Sequence, residues 1–245
     1  MNWLAARITR EGPGVPRNAP RKTGLALLAD VVRREWWMLL ELNLLFVLFA
    51  LPLVTLPAAQ IACTRITALM LEDRSVYLLR DFWESFRARF WRATVLGMFV
   101  VAVIAAGGYA AVTFLEAART AIVFVLPFVV AASATVFAII TAVYALTLLA
   151  LNDRPLPTIL RLALLGALAR PLPVLAALAA VAALWVLHIL FYPASIFMPA
   201  LLNFSFGTLI LTLSVHQAAT RLLAHDRGVA EAGQNAGGSA PLRAQ

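Results

Sequence analysis

The chain has 245 residues, of which 62% are hydrophobic and 13% are charged, and its formal net charge is +8. Soluble domains average about 45–50% apolar and about 25% charged residues, so this composition excludes an ordinary soluble domain and indicates a polytopic membrane protein. We therefore interpret the basic residues as those that orient membrane spans, not as a nucleic-acid surface. The single cysteine, Cys63, excludes an intramolecular disulfide and a cysteine-cluster metal site.

Two polar tails are predicted to flank one all-α membrane domain. Residues 1–23 are rich in proline and glycine, and we expect them to form a disordered cytoplasmic tail. Residues 226–245 are rich in glycine, alanine and glutamine, and we expect the same of them. The helical membrane domain is predicted over 24–225, as a transmembrane bundle of about six segments.

The stretch 36–72 organises this domain, because its apolar run is interrupted by Pro52 and Pro57. Proline lacks a backbone N–H and disfavours a helical residue before it, so we predict a hairpin of two helices rather than one span. The two arms are predicted over about 36–51 and 57–72. Each is about 24 Å long, so the hairpin either crosses as a thin pair or is re-entrant. Thr55 is the better candidate for the cap of the second arm.

The distribution of basic residues supports this hairpin. If it crosses twice and the N-terminus is cytoplasmic, 18 of the 20 basic residues lie on the cytoplasmic side. Arg119 then lies outside, and Arg65 lies within an arm. A single crossing would divide the basic residues much more evenly. The positive-inside rule therefore predicts a multi-pass protein of the inner (plasma) membrane with both termini in the cytoplasm.

The later segments follow from apolar length and amphipathic spacing. Residues 77–91 carry aromatic side chains at helical spacing and several arginines, which is typical of a helix that lies in the membrane interface. Residues 158–170 are predicted to form a second, shorter helix on the cytoplasmic surface. The remaining membrane segments are predicted at about 93–115, 121–151, 172–192 and 195–216.

Three short motifs carry a resemblance to a known family. They are LNLL at 42–45, LPLVTLPA at 51–58 and RDFWESFR at 80–87. Over about residues 24–225, and most specifically over 42–92, the chain resembles the YesL-like family of bacterial integral membrane proteins. It departs from the family at Leu56, where glycine is usual, and at Arg87, where lysine is usual. The resemblance implies a membrane location and an accessory role in carbohydrate import, and no established activity.

Four polar residues are candidates for an intramembrane site: Glu41, Asn43, Arg65 and Asn203. A carboxylate inside a membrane span usually has a function or a partner. We interpret Glu41 as the ion-pair partner of Arg65 in the facing arm. The alternatives are a Glu41 side chain that reaches the interface, and a role in binding a substrate or ion. For Asn203 we favour a hydrogen bond to a neighbouring helix over a ligand role.

Four aromatic residues of the segment 77–91 are candidates for docking a partner protein: Phe82, Trp83, Phe86 and Phe90. Their recurrence on one helical face is also compatible with simple seating in the membrane interface. No spacing indicates a catalytic set, a cofactor-binding motif or a metal site.

Three classes of function remain from the sequence. We favour a non-catalytic accessory or assembly subunit, with a transporter subunit as partner, over an enzyme. The second class is a small-solute transporter or channel, which requires polar residues that converge in mid-membrane. The third is an intramembrane enzyme. The expected partners are the lipid bilayer and another membrane protein, with a homo-oligomer left open and nucleic acid excluded.

Overall fold

A computed structural model describes the backbone of residues 23–238 and the side chains of residues 23–224. Within this range the chain is all-α, as predicted, with eight α-helices and no strand. The helices are α1 Gly24–Arg34, α2 Trp36–Ala50, α3 Leu56–Leu71, α4 Leu78–Ala118, α5 Val125–Leu151, α6 Leu156–Ala169, α7 Pro171–Leu190 and α8 Phe204–Gly238. The predicted tail over 1–23 lies, except for Thr23, outside the described residues.

Among the described residues, five stretches are long and apolar enough to cross a membrane, which is the pattern of a membrane protein. They are Leu53–Leu71, Leu78–Ala118, Ile122–Leu151, Pro171–Leu190 and Pro199–Ala224. The remaining predicted segment, 36–51, corresponds to α2, which has 15 residues. Its length of about 22 Å is below the roughly 30 Å of a hydrocarbon core.

The predicted hairpin of α2 and α3 is confirmed. Pro52 is extended at the turn, with φ −76° and ψ 114°. The guanidinium of Arg34, just before α2, lies 2.9 Å from the carboxylate of Asp73, just after α3. The two arms are therefore antiparallel neighbours.

The cap at Thr55 differs from the prediction. Thr55 does precede α3, but its side chain makes no capping bond to that helix. Its hydroxyl instead lies 2.5 Å from the carbonyl oxygen of Phe49 and 2.6 Å from that of Pro52, and shares its one hydrogen between them. Because its backbone is already helical, the side chain points toward the end of α2 and closes the turn there.

Helix α3 is the centre of the bundle. Twelve of its sixteen residues are buried, and it packs against α2, α4, α5 and α8. Alanine and threonine occupy much of its surface, so neighbouring helices can approach closely. This explains why an apolar helix of only 16 residues contacts so many others.

The predicted break between an interfacial helix and a membrane span is absent from α4. The predicted segments 77–91 and 93–115 form one helix of 41 residues. The chain has no proline in this region to end a helix. At the junction, the guanidinium of Arg92 donates to the carbonyls of Asp153 and Arg154 in the loop after α5, and Arg89 pairs with Asp153 at 3.0 Å. These contacts hold this part of α4 against the loop that follows α5.

The tip of the hairpin reaches only the middle of α4. A Cβ atom built on Gly97 would lie 2.4 Å from Cγ of Pro57, so α3 begins in direct contact with α4 at Gly97. From there α4 continues for 21 residues, or about 30 Å, to Ala118. Gly107 similarly lies against Thr135 of α5. Beyond the tip, α4 and α5 therefore form an antiparallel pair without α3 beside them.

Apolar faces of α4, α5 and α7 remain uncovered by the chain itself. The most apolar windows of these helices are 11%, 0% and 11% buried, against 61% for α3. In a membrane protein such faces contact lipid or another protein.

The C-terminal part contains an irregular segment and a long last helix. Residues Pro199–Asn203 form a π-helix that leads directly into α8. The predicted last segment 195–216 is longer in the structure, because α8 continues to Gly238. Of the predicted tail over 226–245, the residues up to Gly238 continue α8, and residues 239–245 lie outside the described range. Alanine, glutamate and glutamine in this stretch favour helix.

Candidate functional site

Asn43 joins α2 to the irregular segment before α8. Its side chain is fully buried. The amide nitrogen donates to the carbonyls of Pro199 at 3.0 Å and Ala200 at 2.6 Å. The amide oxygen accepts from the backbone N–H groups of Phe204 and Ser205, both at 2.9 Å. One side chain thus satisfies four backbone groups of another helix.

These bonds account for the π-helix. In a regular α-helix the N–H of Phe204 would donate to the carbonyl of Ala200. Asn43 lies between these two groups and bonds to both, and a side chain inserted in this way opens the helix locally. The ring of Phe46, three residues on, packs 5.1 Å from the ring of Phe204. The predicted membrane residue Asn43 is therefore a structural latch in this arrangement.

Asn203 lies at the end of the same segment. It is 2% exposed, and its amide nitrogen has no hydrogen-bond partner among the described residues. This nitrogen does not make the hydrogen bond to a neighbouring helix that we predict for Asn203. Asn203 is not among the residues that Asn43 bonds.

A second polar contact zone connects α3 to α8 and was not anticipated from the sequence. Gln60 donates to the hydroxyl of Thr208 at 3.0 Å, and the hydroxyls of Thr67 and Thr212 lie 3.1 Å apart. We call this zone the hydroxyl seam; it also includes Thr64 of α3 and Thr147 of α5. The signal was present, because Gln60, Thr64 and Thr67 follow the i, i+4, i+7 spacing of one helix face.

The hydroxyl seam lines a small cavity of about 30 Å³ between α3, α5 and α8. Thr64 and Thr147 donate their hydroxyl hydrogens to the carbonyls of Gln60 and Val143, so their remaining lone pairs are available as acceptors. The volume suits about one or two water molecules. It is far below the roughly 300 Å³ at which small-molecule pockets begin.

The predicted ion pair between Glu41 and Arg65 is not formed. Among the described residues neither side chain has an ion-pair partner, and Glu41 is exposed. The buried residues of α2 include Leu42, Asn43 and Phe46, and Glu41 lies about 100° around the helix from Leu42. The face that carries Asn43 inward thus turns Glu41 outward, where the alternative of a side chain reaching the interface applies.

We expect Glu41→Ala and Arg65→Ala to affect stability independently. Since no contact couples the two side chains, the change in unfolding free energy of the double variant should equal the sum of the single changes within about 0.5 kcal/mol. Chemical unfolding in one mild detergent, followed by tryptophan fluorescence, measures this. A coupling above about 1 kcal/mol would restore the ion pair that the sequence predicts.

The four predicted docking aromatics divide into two groups. Phe82 and Phe86 are buried, at 1% and 8% exposure, and their ring centroids lie 5.4 Å and 5.1 Å from that of Phe49 in α2. They belong to the core of the chain and are not available on its surface, which corrects that part of the prediction. Phe90 is partly buried, and Trp83 is half exposed.

Of the histidines, His216 lies with Nε2 3.6 Å from a carboxylate oxygen of Glu72, which links the end of α3 to α8. The nearby Arg74 is 3.6 Å from the other oxygen of Glu72. Within the described residues, no group of three or more histidine, cysteine, aspartate or glutamate side chains is arranged to hold a metal ion.

Comparison with known proteins gives one match. Residues 39–108 match the family described as "Protein of unknown function, DUF624". No curated protein and no solved structure matches the chain significantly. The matched range holds the Asn43 latch, the Pro52 turn and the aromatic segment of α4. The part of this chain that is similar to the family is therefore the hairpin together with the helix against which its tip packs.

Proposed function

We propose that this chain is a non-catalytic accessory or assembly subunit of a membrane protein complex, and that it belongs to the YesL-like family. The observation that carries the proposal is one exposed surface at the start of α4, which we call the Trp–Arg face. It consists of Leu79, Arg80, Trp83, Arg87 and Trp91.

Buried aromatic contacts of α4 fix the position of the Trp–Arg face. Phe82 and Phe86 anchor this end of α4 to Phe49 of α2, so the exposed side chains project from a fixed helix. At 100° per residue, all five side chains of the face lie within an arc of about 120° around the helix. A preorganised surface loses little conformational entropy when a partner binds.

Its composition favours a protein partner. Trp83 and Trp91 are 50% and 76% exposed, and Arg80 and Arg87 form no ion pair with any described residue. Tryptophan and arginine are the residue types that dominate binding energy at protein interfaces. The same types also occur where a helix meets lipid headgroups, so the experiment below separates the two.

The partner class follows from the resemblance described above, which points to a carbohydrate importer in the bacterial inner membrane. The predicted topology, with 18 of 20 basic residues and both termini on the cytoplasmic side, would put the Trp–Arg face at the cytoplasmic surface. We propose no enzymatic activity for the chain.

A small-solute transporter or channel is the second candidate, and the hydroxyl seam favours it. Transporters often place polar residues beside an interrupted helix, and here the seam adjoins the π-helix before α8. The cavity of about 30 Å³ would have to enlarge greatly to admit a sugar. An intramembrane enzyme is the third and weakest candidate.

Co-purification from native membranes tests the proposal. We expect the tagged chain to recover transporter subunits in stoichiometric amounts, and Trp83→Ala/Arg87→Ala/Trp91→Ala to lose them. Trp37→Ala removes an indole that is equally exposed, at 76%, on α2, and should retain the partner. Recovery of the chain alone or only with its own copies would contradict an accessory subunit and direct attention to uptake assays.

A further inference from the structure

A pocket of about 300 Å³ lies between the end of α6 and α8, away from the Trp–Arg face and the hydroxyl seam. Its lining residues are Gly166, Ala169, Arg170, Ala218, Arg221 and Leu222. Its volume is ten times that of the seam cavity and reaches the range in which small-molecule groups bind.

The pocket is built by close packing on one side. A Cβ atom on Gly166 would lie 2.7 Å from the ring of Tyr144 and 3.2 Å from Cδ1 of Leu222, so α6 contacts α5 and α8 directly there. The hydroxyl of Tyr144 donates to the carbonyl of Arg170 at 3.1 Å, which fixes the junction of α6 and α7. The small Ala169 and Ala218 leave the space beside this contact.

Two positive charges border the pocket. Arg170 and Arg221 are exposed, and neither forms an ion pair within the part of the chain whose side chains are described. The C-terminus of α6 and the N-terminus of α7 meet at Arg170, so their helix dipoles largely offset each other. Among the described side chains that line the pocket, the two guanidinium groups are therefore the charged ones.

The surroundings of the pocket are apolar. Leu168 and Leu172, two residues to either side of Arg170, are 69% and 74% exposed. A ligand that fits must carry an anionic group for the arginines and an apolar part for this surface. Guanidinium groups bind phosphate oxygens in a bidentate manner, and basic pockets between membrane helices bind lipid headgroups.

We propose that this pocket binds the phosphate headgroup of an anionic phospholipid, with the acyl chains along the exposed leucines of α6 and α7. The inference is independent of the partner proposed above. A free phosphate ion would satisfy the charge and would leave the apolar surface unused, which is why the lipid is the occupant to which we commit.

Binding is measured on the full-length chain in a non-ionic detergent, with short-chain phosphatidylglycerol, phosphatidylcholine and inorganic phosphate as probes. We expect phosphatidylglycerol to raise the unfolding temperature and to bind with defined stoichiometry in native mass spectrometry. Phosphatidylcholine, whose choline neutralises its phosphate, and inorganic phosphate, which has no acyl chains, should each bind at least about tenfold more weakly.

The variant Arg170→Gln/Arg221→Gln should weaken phosphatidylglycerol binding at least about tenfold, because two charge-assisted contacts are lost. Arg161→Gln removes a charge from the exposed face of the same short helix, outside the pocket, and should leave the affinity within about twofold. If the glutamine variant does not fold, Arg170→Lys/Arg221→Lys retains the charge and should bind with intermediate affinity.

Three results would overturn the proposal. One is equal binding of phosphatidylglycerol by the wild type and the double glutamine variant. Another is equal affinity for phosphatidylcholine, which would mean that the charge is not recognised. The third is inorganic phosphate binding as tightly as the lipid, which would identify a site for the free ion.

Discussion

Replacing Asn43 by leucine is expected to destabilise the protein by at least about 3 kcal/mol. The leucine has a similar size but leaves two carbonyls and two N–H groups of the segment 199–205 without their partner. A buried backbone group that loses its bond costs about 1–3 kcal/mol. For a chain of this length the loss corresponds to a fall in unfolding temperature of roughly 6–12 °C. Thermal unfolding in one detergent measures it, and Trp185, which packs 5.6 Å from Phe204, provides a fluorescence signal close to the latch.

Two matched variants test the reason for this loss. Leu44→Ala changes the next residue, which is 52% exposed, and should lower the unfolding temperature only slightly. Asn43→Asp keeps the size and the acceptor but turns a carboxylate oxygen toward the carbonyls of Pro199 and Ala200, so it should be about as damaging as leucine. If Asn43→Leu unfolded at the wild-type temperature, the latch would contribute nothing and Asn43 would again be open to a ligand role.

The hairpin could be predicted because its causes are local. Pro52 ends the first arm, Pro57 fits the first turn of the second arm, and the distribution of arginines along the chain then favours two arms over one span. The partners of Asn43 could not be predicted in this way. They lie 156 to 162 residues further along the chain, and nothing in the local sequence of α2 indicates that a distant helix will open to receive its side chain.

The start of α4 shows a different limit. An amphipathic helix with flanking arginines has the same pattern whether it lies on a membrane or packs on its own chain. Phe49, which receives Phe82 and Phe86, is more than thirty residues earlier and carries no sign of that contact. In contrast, the spacing of Gln60, Thr64 and Thr67 places them on one face of α3, so the position of the hydroxyl seam on that helix can be read from local sequence.

Phe82→Ala is expected to destabilise the protein by about 3–5 kcal/mol, because it removes a ring that is 1% exposed and leaves a cavity beside Phe49 and Phe86. The adjacent Trp83→Ala removes a larger side chain that is half exposed and whose ring lies 5.8 Å from the rings of both Phe49 and Phe86. It should cost less than Phe82→Ala, about 1–2 kcal/mol. Thermal unfolding and co-purification, measured on the same two variants, separate anchoring from docking.

Phe82→Ala should have a lower unfolding temperature and, in the fraction that remains folded, should still recover the partner. Trp83→Ala should unfold at a higher temperature than Phe82→Ala and lose much of the partner. A stable Phe82→Ala variant that fails to recover the partner would reverse the two assignments, since the buried ring would then have to become exposed when the complex forms.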